Sequence, residues 1–146
     1  MFDHVNVHEP NSPVERKDTC SKLQNLVSKE EVNWCLFGDF NEVRKVNERL
    51  NSNSNKKDME DFNAFIEKGG LIEIPMFGRK FTRVSDDRTM FSKLDQFLMT
   101  HKFRSLWRNL GVNVLERRWS DHTPLLLGED WSDYGPTPFK FFDIWL

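Results

Sequence analysis

The stretch WCLFGDFN, residues 34–41, decides how the rest of the chain is arranged. Its first four residues are mostly apolar and predict a short buried strand that ends at a glycine. Asp39 and Asn41 follow on either side of Phe40, and in an extended backbone residues two apart point to the same side. A strand that ends in a carboxylate and a carboxamide suits metal or phosphate chemistry. The same G-D-x-N sequence is also common in ordinary turns, so both interpretations stay open here.

The composition indicates one soluble, globular domain. The chain has 146 residues, enough for a sizeable core, and 38% hydrophobic against 30% charged residues is typical of a folded chain rather than a disordered one. A net charge of −2 argues against a strongly basic nucleic-acid module, whereas a nuclease stays compatible because bound cations offset clustered carboxylates. We find neither a signal peptide nor a membrane span, and the two cysteines favour free thiols, with a disulfide left open. We therefore expect an intracellular, nuclear protein without membrane contact.

The hydrophobic pattern mixes strands and helices without a regular βαβ alternation, which predicts an α+β fold with a layered sheet. Ser12 and Pro13 open a helix with a near capping box, and its apolar positions recur as far as Val27. A second helix is expected over residues 58–68, after a polar, mobile loop over residues 42–57. The other predicted elements are strands 2–7, 71–74, 81–84 paired with 94–99, and 112–119, and a short helix over 101–110.

Three sites in the chain carry acidic side chains that could act together. Besides Asp39 with Asn41, they are Asp95, inside the apolar segment SKLDQFL, and Asp121 with His122 after a strand. Each one alone has an ordinary structural explanation at a strand edge or in a turn. Together they make a familiar polar set. One carboxylate can hold a histidine ring whose other nitrogen faces a phosphate, and further carboxylates can bind a cation or activate water.

Four motifs in order, GDFNE, GLIEIP-x-x-GRKFT, SKLDQFL and RWSDHTPLLL, resemble the endonuclease/exonuclease/phosphatase superfamily. This resemblance implies a DNase-I-like layered α/β sandwich. The chain is most similar to the apurinic-endonuclease-like domain of plant LINE-type (non-LTR) retrotransposons. Residues 1–128 would be the C-terminal part of that domain. Residues 129–146 would be a linker or tail like the segment before the reverse transcriptase in a longer parent polyprotein.

The resemblance also implies roles for particular residues. Asp39 would activate water or protonate the leaving group, and Asn41 would contact metal or phosphate. Asp95 would pair with His122, which would hold the phosphate, and Asp121 would be a metal ligand. The implied reaction is hydrolysis of phosphodiester bonds in DNA with Mg²⁺ or Mn²⁺ as cofactor.

The chain departs from the family pattern in three places. We expect the family's N-terminal strands to be missing, including the strand with the metal-binding glutamate, so the partner sheet would be largely absent. His8 stands where a tyrosine is usual and could reach a phosphate. The family's FTW motif is FTR here, with Arg83 in the aromatic position. A lost ligand weakens a hard-cation site, so we expect weak or no nuclease activity and self-association through the exposed sheet.

Two other functions remain open at this point. The chain could be a non-catalytic remnant or binding module that kept the fold and lost the activity. It could also be a phosphomonoesterase of the same superfamily, because such enzymes share these residues and differ in the loops that contact the substrate. Cleavage of plasmid DNA and release of inorganic phosphate separate the three hypotheses.

Overall fold

The computed structural model describes residues 1–29 and 31–129. The predicted tail, apart from Glu129, lies outside these residues. Three helices are present, together with a 3-10 turn over Val46–Glu48: α1 (Pro13–Val27), α2 (Lys56–Lys68) and α3 (His101–Leu106). The described strands are β1 (Phe2–His8), β2 (Asn33–Asp39), β3 (Arg49–Leu50), β4 (Leu71–Glu73), β5 (Met76–Phe77), β6 (Arg83–Val84), β7 (Phe91–Ser92), β8 (Asp95–Thr100), β9 (Leu110–Val114) and β10 (Leu125–Glu129).

A mixed four-stranded sheet in the order β1-β2-β8-β4 forms the centre of the molecule. Strand β2 is the predicted strand of the WCLFGDFN stretch, and it pairs parallel with β1 and antiparallel with β8. Successive side chains of a strand point to opposite faces. Leu36 and Leu98 therefore pack in the core cluster that contains residues of α1 and α2, whereas Cys35 and Met99 pack in a second cluster.

A second sheet, in the order β10-β9-β5, shares this second core cluster. Val112 of β9 and Met76 of β5 are buried there with Cys35 and Met99 of the central sheet. The layers are therefore helices, central sheet and second sheet, as expected for a sandwich. The predicted α+β sandwich is confirmed, with the partner sheet represented by three strands. A small third sheet, in the order β3-β7-β6, lies beside these layers.

The two long helices follow their predicted apolar faces, but their first turns differ from the prediction. Pro13 occupies the first turn of α1, whereas the side chain of Ser12 makes no capping hydrogen bond, so the capping box is wrong. Helix α2 begins two residues before its predicted start. Its cap is Asn55, whose side chain accepts hydrogen bonds from the backbone of Lys57 and Asp58.

The loop predicted as mobile, residues 42–57, contains the 3-10 turn and β3 instead. Its acidic side chains are drawn inward because cations on other segments pair with them. The Lys93 ammonium lies 3.6 Å from the Glu48 carboxylate, and Arg16 of α1 lies 3.4 Å from Glu42. Glu48 also accepts hydrogen bonds from the backbone of Arg44 and Lys45. The low complexity of the loop concealed this pairing, since the cation at position 93 is distant in sequence.

The pairing predicted for residues 81–84 and 94–99 is wrong. Strand β6 pairs with β7 in a short hairpin that a bond from the Ser85 N–H to the Met90 carbonyl helps to close. Strand β8 then leaves for the central sheet, where it pairs with β2 and β4. The third helix also ends earlier than predicted, at Leu106, which is exposed, and Leu110 starts β9.

Strand β9 ends at Val114, five residues before its predicted end, because its ladder with β10 extends only that far. Both cysteines are free thiols, as the composition favoured. In the part of the chain that the structure describes, no helix has the length and apolar character needed to cross a membrane.

Candidate active site

Three of the predicted site residues lie in one row across the central sheet. In the register of the strands, His8 of β1 is the partner of Asp39 of β2, and Asp39 is the partner of Asp95 of β8. Because β1 and β2 end at this level and β8 begins there, the row lies at one end of the strands of the sheet. The fold thereby brings together residues that are 87 positions apart in sequence.

A glycine and a left-handed asparagine shape the end of β2. Gly38 has φ 128°, and a Cβ atom there would lie 2.1 Å from the Val7 carbonyl oxygen, so only glycine fits. One carboxylate oxygen of Asp39 accepts a hydrogen bond from the Asn41 N–H at 2.8 Å, and Asn41 has φ 52°. The backbone therefore turns here. The prediction from the sequence assumed instead that it stays extended. Asp39 and Asn41 nevertheless line the same cavity.

This cavity, which we call the site cavity, has a volume of about 210 Å³. It contains five of the six predicted site residues; Asp95, the sixth, lies behind His122. Its polar lining residues are His8, Glu9, Asn11, Asp39, Asn41, Arg83, Asp121 and His122.

Backbone pairing places His122 at this end of the sheet, next to Asp95. Residues 83 and 122 form an antiparallel bridge, and the Thr123 N–H donates to the Thr82 carbonyl at 2.6 Å. His122 Nδ1 then lies 2.8 Å from an Asp95 carboxylate oxygen, and its Nε2 lies 3.7 Å from Asp39. The carboxylate can only accept, so Nδ1 carries the proton and Nε2 faces the cavity.

The electrostatics of the site follow from these contacts. The hydrogen bond with Asp95 raises the pKa of His122, opposed in part by burial and supported by the neighbouring carboxylates. Burial raises the pKa of Asp39, and the charge of Asp95 raises it further. A histidine that readily carries a proton therefore lies beside a carboxylate that is a stronger base than usual. This pairing is suited to holding an anionic group and moving a proton next to it.

Three residues that sequence reasoning did not select support this arrangement. The buried hydroxyl oxygen of Thr82 accepts hydrogen bonds from the N–H groups of Leu94 and Asp95, at 2.9 and 3.0 Å. The side chain of Asn41 donates to that of Asn11 and to the Glu9 carbonyl. No local signal in the sequence distinguished these three residues.

Glu9 lines the site cavity, although only 2% of its surface is exposed. Burial raises the pKa of its carboxyl group to about 7, and the Cys20 thiol donates a hydrogen bond to it at 3.3 Å. Its backbone N–H donates to the Asp39 carbonyl at 2.8 Å. Glu9 therefore fixes the position of Asp39 through the main chain.

The remaining predicted residues, His8 and Asp121, lie at the mouth of the cavity. His8 Nδ1 is 3.9 Å from the Asp39 carboxylate, and its side chain is 88% exposed. Asp121 accepts a hydrogen bond from Arg83 Nε at 3.1 Å, and this bond is the main reason why the pKa of Asp121 is lowered.

The fit of the described residues to a divalent cation can be judged from their donors. Mg²⁺ and Mn²⁺ prefer carboxylate and carbonyl oxygens, which Asp39, Asn41 and Asp121 could offer. Within residues 1–29 and 31–129, however, no group of three or more acidic, histidine or cysteine side chains is arranged to hold a metal ion. Asp121 is also engaged by Arg83. These residues alone therefore do not fit a bound divalent cation.

No family model matches the chain, and no curated protein matches it. Solved structures do. A 3′ phosphatase, NExo, from Neisseria, bound to a product DNA hairpin, matches with a TM-score of 0.68 and 17% identity over 88% of this chain and 61% of that one. The endonuclease domain of TRAS1, a telomere-specific non-LTR retrotransposon, matches with a TM-score of 0.57 and 16% identity over 84% of this chain and 54% of that one.

A third match is an endonuclease/exonuclease/phosphatase family protein from Bacteroides thetaiotaomicron, with a TM-score of 0.50 and 14% identity over 85% of this chain and 47% of that one. The chain thus shares the fold of these structures, the DNase-I-like fold. It spans about half to three-fifths of the length of these three chains, so its fold is a truncated one.

Proposed function

We propose that the site cavity is the hydrolytic site of a phosphoesterase that acts on DNA, of the retroelement-endonuclease type, with only weak activity in this chain alone. One observation carries this proposal. His122 is held by Asp95 at 2.8 Å, while its other ring nitrogen lies 3.7 Å from Asp39. A protonated ring and a basic carboxylate at one cavity are what hydrolysis of a phosphate ester needs from its protein groups.

In the proposed reaction the protonated His122 holds a non-bridging oxygen of the phosphate. Asp39, whose pKa is raised by burial, takes a proton from the attacking water. The new oxygen–phosphorus bond forms as the bond to the sugar oxygen breaks. The sugar oxygen takes up a proton from solvent water, and Asp39 releases its proton to solvent. Asn41 contacts the phosphate in this proposal, with Asn11 holding its carboxamide in place.

The second candidate is removal of a terminal phosphate from DNA. It is favoured by the likeness to NExo, which is a 3′ phosphatase bound to a product DNA hairpin. The two reactions share the attack on phosphorus and differ only in whether the sugar oxygen belongs to an internal linkage or to a chain end. The residues described above serve either reaction, so the substrate must decide.

The experiment compares two substrates and four proteins. Supercoiled plasmid and a 3′-phosphorylated DNA hairpin are each incubated with wild type, Asp39→Asn, His122→Ala and the control His101→Ala, with Mg²⁺ and with Mn²⁺. Loss of the His122 ring, which pairs with Asp95 in a dyad, or of the Asp39 carboxylate should lower the rate of hydrolysis by about 10²–10⁴-fold. The control changes an exposed histidine at the start of α3 and should leave the rate unchanged.

Nicking of the plasmid identifies an endonuclease, and phosphate release without nicking identifies a phosphatase. Equal rates in wild type and His122→Ala would reject the site. If wild type hydrolyses neither substrate, the catalytic proposal fails, and DNA affinity measured by fluorescence anisotropy then tests the non-catalytic binding module.

Three expectations remain predictions that rest on the resemblance or on the expected missing sheet. They are a reverse transcriptase region in a longer parent polyprotein, self-association through exposed sheet surface, and a nuclear location. Sedimentation velocity of the purified chain over a range of concentrations tests the second of them directly.

A further inference from the structure

Arg83 and Asp121 are brought together by the backbone as well as by their side chains. Arg83 Nε donates to the Asp121 carboxylate at 3.1 Å. Next to this contact, the Val84 N–H donates to the Asp121 carbonyl at 2.9 Å, and residues 83 and 122 form a bridge. The bridge keeps the start of the Arg83 side chain beside Asp121 even when the guanidinium moves. The contact is therefore a feature of the fold and not a chance meeting of two long surface side chains.

This contact occupies the carboxylate that the resemblance assigns to a metal ion. Arg83 Nε lies 3.1 Å from the Asp121 carboxylate, so a positive charge already stands beside this group. A divalent cation would have to share this carboxylate with the guanidinium, which contacts one of its two oxygens, and would be repelled by the guanidinium charge. Among the described residues, this pairing supplies one reason why the donors do not fit a cation.

We propose that Arg83 is a built-in competitor of divalent cations at Asp121 and thereby lowers the affinity of the site cavity for Mg²⁺ and Mn²⁺. The inference rests on the proposed function only in naming the site, because it concerns cation binding and needs no hydrolysis. Arg83 is 46% exposed and Asp121 is 39% exposed, so solvent ions reach both groups. The competition is therefore an exchange of one cation for another at an accessible carboxylate.

Direct binding of Mn²⁺, without DNA, tests the inference. The affinity is measured from the free-ion signal in electron paramagnetic resonance and checked by isothermal titration calorimetry. Arg83→Leu should bind Mn²⁺ roughly three- to tenfold more tightly than wild type, a range set by the modest strength of a solvent-exposed ion pair plus the removed repulsion. Arg83→Lys keeps the positive charge and should stay near the wild-type affinity.

Two further proteins separate the local effect from general ones. Arg88→Leu removes the same charge from the turn of the same hairpin and should change the affinity by less than Arg83→Leu does. The double variant Arg83→Leu with Asp121→Asn removes the carboxylate, so the gain should disappear. Circular dichroism melts verify that all variants remain folded.

The inference would be overturned if Arg83→Leu showed no gain in Mn²⁺ affinity, or if no protein bound Mn²⁺ measurably. An equal gain in affinity in Arg88→Leu, or a gain that persists in the double variant, would also overturn it. The result is independent of the hydrolysis assays. Nicking by wild type with an unchanged Mn²⁺ affinity in Arg83→Leu would keep the proposed function and reject this inference. Tighter binding in Arg83→Leu without hydrolysis by wild type would do the reverse.

Discussion

Lys93 and Asp95 are two residues apart in sequence, yet they belong to two regions of very different character. Lys93 is the centre of a cluster that we call the scaffold ion cluster, formed with Glu48, Glu73 and Arg44. Its side chain is 7% exposed and contacts both the Glu73 and the Glu48 carboxylates. Each charge in this cluster faces an opposite charge, and Arg44 completes it at 2.8 Å from Glu73.

The site cavity has the opposite arrangement. Asp95 binds one side of the His122 ring, and the other side faces a cavity lined by three further acidic side chains, those of Glu9, Asp39 and Asp121. His122 is 29% exposed, so a ligand can reach it. The difference teaches how to separate two uses of buried charge in this protein. Charges that are all paired with one another hold the loop of residues 42–50 in place. In the site cavity, by contrast, one ring nitrogen of His122 lies beyond hydrogen-bond distance of its nearest carboxylate and is free to act on a ligand.

The largest effect on stability is expected from Lys93→Met. The substitution keeps a similar volume but leaves two carboxylates in the scaffold ion cluster without their shared cation. Removing one partner of a buried ion pair costs about 3–5 kcal/mol. Urea denaturation at neutral pH measures the loss. A loss below about 1 kcal/mol, the usual worth of an exposed pair, would show that the cluster does not hold the loop.

The pH dependence of this loss provides its control. Burial alone would raise the pKa of Glu73, but Lys93 and Arg44 outweigh burial and lower it. A carboxyl group with a lowered pKa in the folded state stabilises the protein above its unfolded pKa and loses this contribution as the pH falls through the folded pKa. The deficit of Lys93→Met should therefore shrink in acid, which an effect of lost packing would not do.

Thr82→Val should have the next largest effect, and it acts on the other region. The threonine hydroxyl oxygen accepts from two backbone N–H groups, those of Leu94 and Asp95, where the chain enters β8. Valine has the same shape but no acceptor, and a buried donor without a partner costs about 1–3 kcal/mol. Urea denaturation measures the change against Thr89→Val, a substitution in an exposed turn. Equal losses in the two variants would mean that Thr82 does not position Asp95.

Sequence reasoning succeeded where the signal is local. The apolar run before Gly38 predicted β2, and the apolar positions that recur as far as Val27 predicted the buried face of α1. It failed where a distant residue decides. The loop around Glu48 is held in place by the ion pair with Lys93. The strand pairing near Thr82 depends on a hydrogen bond from Leu94, which lies beyond the β6–β7 hairpin.

The site shows the same division. The motif residues Asp39, Asn41 and His122 could be selected from their order along the chain, and the fold places them at one cavity. The contact between Arg83 and Asp121 could not be predicted, because it depends on the bridge that pairs residue 83 with residue 122. Burial of Glu9 likewise results from packing between β1 and α1 and leaves no pattern in the sequence.

The smallest change in stability is expected from Asp95→Asn, which separates the chemistry of the dyad from its packing. Asparagine keeps the shape of the side chain but removes the carboxylate, whose hydrogen bond and charge both raise the pKa of His122. The His122 pKa, measured by NMR titration of the ring, should therefore fall in the variant, while Lys93→Met should leave it unchanged because Lys93 pairs elsewhere.

The pH dependence of stability should change as well. A histidine with a raised folded pKa stabilises the protein below its unfolded value of about 6.5 and loses this contribution as the pH rises through the folded pKa. The stability difference between wild type and Asp95→Asn should thus be larger at pH about 5.5 than at pH about 9. An unchanged His122 pKa in Asp95→Asn would contradict this distinction. The charges of the site cavity would then only stabilise the fold, as those of the scaffold ion cluster do.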